Sequence, residues 1–126
     1  PPMNTVQGPV VETDGEIGVR IVGATVAVPA PAAAAVRARG LTELVVGVRP
    51  EHLVMDPDGG LPVSVELVEH LGHEQHVVCR LSDGQMVTLR QGSHTRAPAV
   101  GTEVRLGARP EHLHCFDAVT GERVGP

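Results

Sequence analysis

The chain has 126 residues and a formal net charge of −5, with ten arginines, no lysine, one aromatic residue (Phe116) and two cysteines. That length gives one domain or two very small ones packed together, with a modest core. The acidic balance lacks the basic footprint of a nucleic-acid binder, and the missing aromatics remove the stacking platform of single-strand binders.

No apolar run approaches the roughly 18 residues of a membrane span, and no signal-peptide pattern is read. Cys79 and Cys115 do not make a disulfide framework and read as reduced thiols. Valine is the commonest residue, with 22 copies, beside 15 glycines and 11 prolines. β-Branched residues plus turn formers predict an all-β fold of about eight to ten short strands, an OB-like small barrel or a pair of half-barrels, with one short helix.

In chain order, Pro1, Pro2, Met3 and Asn4 read as an extended lead-in. Strands are expected over 5–11, 17–22 and 24–28, with Gly15 and Gly23 punctuating the runs. Alternation puts Val19 and Ile21 on one face and Arg20 on the other. The stretch PAPAAAAVRARG, 29–40, is the one good helix signal. Pro31 suits the first turn, the alanines favour helix, Arg37 and Arg39 suit the C-terminal dipole, and Gly40 can cap. It is expected to be a connector of barely two turns.

A strand follows over 42–49 with Leu44, Val46 and Val48 on one face. The next, 61–71, points Val63, Val65 and Leu67 inward and Ser64 and Glu66 outward. Gly72 allows a turn, and 73–81 returns with Val77, Cys79 and Leu81 on one face. Ser82-Asp83-Gly84 is a hairpin turn. A strand over 86–90 leads to a polar loop, 92–101. The strand over 103–109 faces Val104, Leu106 and Ala108 inward, and a short hairpin and tail end the sequence.

The pentapeptide RPEHL occurs at 49–53 and again at 109–113, 60 residues later. The flanking sequences TELVVGVRPEHL and TEVRLGARPEHL agree at 8 of 12 positions. Arg49 and Arg109, each before a proline, are pushed into extended backbone. Pro50 and Pro110 lack the N–H that would continue a ladder. Proline followed by Glu51 or Glu111 suits the first turn of a short helix, and Leu53 and Leu113 fall back onto the core. The residue types thus predict a strand-ending turn. Glu51 with His52, or Glu111 with His112, makes a poor acid–base pair: neighbouring positions rarely aim at one atom, and no nucleophile accompanies them.

His70, His73 and His76 straddle a glycine turn, with His73 on the inward parity and His76 outward, so they do not converge. His112, His114 and Cys115 form a second tempting set, and a His-rich zinc site stays open as an alternative. Glu69 carries the inward parity of Val63 and Val65, a costly place for an unpaired carboxylate. Either the strand bulges or ends there, or Glu69 is presented at a rim to a partner. No Walker, GxSxG, HExxH or CxxC motif occurs.

Taken together, the ordered set resembles the C-terminal regulatory domain, the transport-associated OB module, of ATP-binding subunits of maltose/trehalose/glycerol-phosphate-type ABC importers. The matching residues are Pro2, Met3 and Asn4; Gly47, Arg49, Pro50, Glu51, His52 and Leu53; Val65, Glu69, Leu71, Gly72 and Glu74; then Phe116, Asp117, Gly121 and Val124. The second full RPEHL departs from the family pattern, where many relatives carry a degraded version, and supports an architectural role for the motif.

The resemblance implies two interleaved OB-like parts, roughly 1–60 and 61–126, with the ATPase domain upstream and absent from this chain. It implies a non-catalytic segment with no cofactor of its own, ATP and Mg being held by that upstream domain. The implied partners are a second copy in a homodimer, the permease subunits, and in some members a regulatory protein. The implied location is the cytoplasmic face of the cell membrane. The residues singled out as a structural or regulatory motif are Arg49, Pro50, Glu51, His52, Glu69, Gly72, Glu74, Arg109, Glu111 and His112. A small oxyanion-binding module is the further alternative, with Arg49, Arg109 and glycine-rich turns as donors.

Overall fold

The structure, a computed structural model, describes residues 3–125. Pro1 and Pro2 of the expected lead-in lie outside the described residues. Eleven strands, one helix and two single 3₁₀ turns follow in order. They are β1 (Asn4–Thr13), β2 (Glu16–Ile21), β3 (Ala24–Ala27), α1 (Ala30–Arg39) and β4 (Glu43–Val48), then a 3₁₀ turn (Pro50–His52) and β5 (Val54–Met55). Next come β6 (Leu61–Leu71), β7 (Glu74–Arg80), β8 (Met86–Gly92) and β9 (Glu103–Gly107), a second 3₁₀ turn (Pro110–His112), β10 (His114–Asp117) and β11 (Arg123–Val124). The all-β expectation holds. The strand number exceeds it because β5 and β11, two residues each, are too short to show a period.

Alternation places the core. Val19, Ile21, Leu44 and Val46 from one sheet join Val63, Val65, Val77 and Leu89 from the other in one apolar cluster. Each such side chain, fully buried, contributes about 1.5–3 kcal/mol. Helix α1 is ten residues long, longer than expected, and buries Ala32 and Val36. Gly40 ends it at φ 63°, where its N–H reaches the Val36 carbonyl, a left-handed cap that suits glycine.

The six-stranded sheet runs β11-β10-β4-β1-β2-β3 and the five-stranded sheet β5-β9-β6-β7-β8. Neighbouring strands in both are antiparallel. The sheets are stitched where the Asn4 side-chain amide replaces a ladder partner: Nδ2 donates to the Thr88 carbonyl and Oδ1 accepts from the Thr88 N–H, each at 2.8 Å.

Two inward assignments are corrected. Val65 pairs with Cys79 but Leu67 pairs with Val78, so Glu66 is an extra residue in β6. This bulge inverts the parity beyond it. Leu67, expected inside, is 49% exposed, while Glu69 lies exposed, in keeping with the bulge that was one of its two expected readings. His73, also expected inward, lies exposed in the turn between β6 and β7.

Candidate functional site: the two facing RPEHL turns

Both copies of RPEHL fold alike. Arg49 (φ −72°, ψ 145°) and Arg109 (φ −68°, ψ 140°) are extended, and each proline opens a 3₁₀ turn. The His52 and His112 N–H groups donate to the carbonyls of Arg49 and Arg109, each at 2.9 Å. After each turn the chain crosses to the other sheet. Val54 and Met55 of β5 pair with Gly107 and Leu106 of β9, while His114 and Cys115 of β10 pair with Gly47 and Val46 of β4. These are one pairing, moved by the 60-residue repeat. The strand that follows each motif completes the sheet that precedes the other.

The crossing brings the two motif histidines face to face. The His52 and His112 rings stack with centroids 3.9 Å apart and planes 14° from parallel. His52 Nδ1 is buried without a hydrogen-bond partner among the described residues. No sequence signal pointed to this pair as partners, because the motif shows two turns and not their mutual orientation.

The surroundings differ. Beside the first turn, Arg90 of β8 lies 3.9 Å from Glu51 and 3.8 Å from Glu74, and the Glu74 carboxylate is 2.6 Å from His76 Nε2. Glu51 and Glu74 are thereby brought to one cation. The backbone N–H at its own position, helped by Arg90, holds the Glu51 carboxyl below its ordinary value. Beside the second turn, Glu111 finds Arg109 alone, at 3.7 Å, with both side chains largely exposed. Glu69 and Gly72 are not part of this centre: they lie exposed near and at the tip of the β6–β7 hairpin. Arg49 is exposed as well.

The histidines do not assemble a metal centre. His70 and His73 are exposed at the hairpin, His76 is engaged by Glu74, and His114 Nδ1 accepts from Arg123 at 2.7 Å. Burial first, then the Arg123 guanidinium, lowers the proton affinity of His114. Among the described residues no three His, Cys, Asp or Glu side chains are grouped to hold an ion. Cys79 and Cys115 are free and buried, and burial pushes each thiol up to about 11. Both stay protonated at neutral pH and poor as nucleophiles.

Sequence reasoning placed Asp117 only among the residues that carry the family resemblance and gave its carboxylate no role. Its carboxylate accepts from the Val119 N–H at 2.8 Å and the Thr120 N–H at 3.4 Å, and faces Arg39 at 3.5 Å. The Val119 hydrogen bond, then that of Thr120 and the Arg39 charge, hold its carboxyl below the usual range against the effect of burial. The turn-forming tendency of aspartate is a signal that would have found it.

With this geometry in view, comparison with known proteins is specific. The TOBE domain family model matches residues 46–116, and the MalK OB fold domain model matches residues 1–53. The chain is 34% identical over 129 aligned positions to the sn-glycerol-3-phosphate import ATP-binding protein UgpC of Bordetella avium, covering 98% of this chain and 34% of that protein. To the protein of the same name from a Ruegeria species it is 42% identical over 84 residues, 65% of this chain and 23% of the relative. The chain thus spans about a quarter to a third of the length of these relatives. Among solved structures, the cytoplasmic molybdate-binding protein ModG superposes with a TM-score of 0.64 at 17% identity, over 89% of this chain and 94% of that one. That likeness is one of fold.

Proposed function

This chain belongs to the TOBE domain family, and from that membership we propose that it is the regulatory domain of the ATP-binding subunit of an ABC importer for a sugar or a glycerol-phosphate-type solute. The observation that carries this is the pair of family matches, 1–53 and 46–116, spanning nearly all of the chain, together with relatives named as importer ATP-binding proteins. In this reading the segment neither binds nor hydrolyses ATP; an upstream domain does both, with Mg. Its two interleaved OB-like parts, roughly 1–60 and 61–126, hold two ATPase subunits together at the cytoplasmic face of the membrane beneath the permease subunits. No helix of the described residues is long and apolar enough to cross a membrane.

The arrangement divides the labour. Arg49, Pro50, Glu51 and His52, with Arg109, Glu111 and His112, serve as architectural closures. The β6–β7 hairpin, with Glu69, Gly72 and Glu74, is the surface offered to a second copy or a regulatory protein. The bulge supports this, because it turns Leu67 and leaves Leu71 outward, each 49% exposed. Light scattering over a concentration series tests self-association: a dimer is expected, weakened in Leu67→Glu/Leu71→Glu. A strict monomer at high concentration overturns the dimer reading, and ATP turnover by the isolated chain at enzyme rates overturns the non-catalytic one.

A further inference from the structure

Between the two sheets lies a cavity of about 330 Å³ that the proposed function does not use. Its walls are built from the repeat: Val46 with Leu106, Val48 with Ala108, and Leu53 with Leu113. One liquid water occupies about 30 Å³, and ligand pockets begin at about 300 Å³. The space is therefore of ligand size, and its lining is nearly all aliphatic.

Three polar side chains line it, Asn4, Thr25 and Asp56, of which Thr25 is exposed and the other two half-buried. The Asn4 amide is consumed by both backbone groups of Thr88. Asp56 is different. Its carboxylate makes no ion pair and accepts no hydrogen bond from the described residues, and the nearby Arg105 guanidinium donates instead to the Gly59 and Gly60 carbonyls. Two glycines make room for it. A Cβ on Gly107 would come within 2.9 Å of Asp56 Oδ2, and one on Gly59 within 3.3 Å. The repeat shows what the alternative looks like. Gly47, the counterpart of Gly107, leaves its space to the Met3 side chain, whose Cε lies 2.6 Å from where a Cβ would stand. One glycine receives an apolar plug and the other a bare carboxylate bordering a cavity.

The geometry points to a binding site for a small organic cation, with an aliphatic or aromatic body in the inter-sheet cavity and an ammonium head on the Asp56 carboxylate. The one charged side chain in the lining is Asp56, an acceptor when ionised, so the ligand brings the donor and the positive charge. Anions are repelled by Asp56. With no aromatic wall to hold a cation by its face, discrimination rests on Asp56 itself. The inference is independent of the importer reading, since the cavity is lined by residues of one chain alone.

The test is isothermal titration of the whole chain with 2-phenylethylammonium, 2-phenylethanol and 3-phenylpropionate. Saturable one-to-one binding is expected for the ammonium, about tenfold or more weaker for the alcohol and absent for the carboxylate. Asp56→Asn should bring the ammonium down to the level of the alcohol. Ala108→Leu, which fills the space, should abolish both while the chain stays folded by circular dichroism. Absence of saturable binding of the ammonium up to about 10 mM overturns the site. Equal binding of ammonium and alcohol, retention by Asp56→Asn, or preference for the carboxylate overturns the cation assignment.

Discussion

The two RPEHL turns carry the same five letters, the same backbone and the same crossing to the opposite sheet, yet they are not energetically alike. Around the first, Pro50 and Leu53 are buried and Glu51 faces Arg90. Around the second, Pro110 is exposed, Leu113 is half-buried and Glu111 meets Arg109 alone in solvent. The difference separates two things a motif can specify. Arg-Pro and the residues after it dictate local dihedrals wherever they occur. How much the turn stabilises depends on what packs above it, and that is set by residues such as Arg90, 40 positions away in sequence from one copy and 20 from the other.

The comparison is broken most sharply at the leucines. Leu53→Ala removes a side chain that is 9% exposed and should destabilise by about 2–4 kcal/mol. Leu113→Ala, at the partly buried counterpart, should cost about half as much. Urea unfolding of both variants measures the difference, and equal losses would show the two turns to be equivalent after all. Next in size is the coupling between the histidines. A double-mutant cycle of His52→Ala and His112→Ala should return a favourable interaction of about 0.5–1.5 kcal/mol for the stacked rings. Additive losses would mean that the turns are held by their own strands and not by each other.

Much of this was legible in the residues. Periods of two placed most strands within a residue or two, the bounds of β6 agree with the expected 61–71, and the alanine run with its trailing arginines and Gly40 placed α1. What could not be read has a common cause. The bulge at Glu66 is a property of the register with β7, so Leu67 looked inward from its own strand alone. β5 exists because β9 is there to pair with it. The stack of His52 on His112 requires the crossing of two strands between two sheets, which no local pattern encodes. In the candidate site the individual turns were readable. Their partnership was not, nor was the bare carboxylate of Asp56, hidden in an ordinary DPDGG loop.

A smaller asymmetry follows the crossing strands outward. Moved by the repeat, Asp117 at the end of β10 corresponds to Pro57 just past β5. Proline ends its strand without titrating, whereas Asp117 does so through a charged acceptor on Val119 and Thr120. Its carboxyl is lowered in the folded chain, so its contribution is fully present above the unfolded carboxylate value, near 3.8. The contribution disappears as pH falls through the lower, folded value. Thermal midpoints followed from pH 7 down to about 2 should therefore show an acid limb that flattens in Asp117→Ala. An acid limb as steep in Asp117→Ala as in the parent chain would mean that the second crossing has no charged clamp of its own.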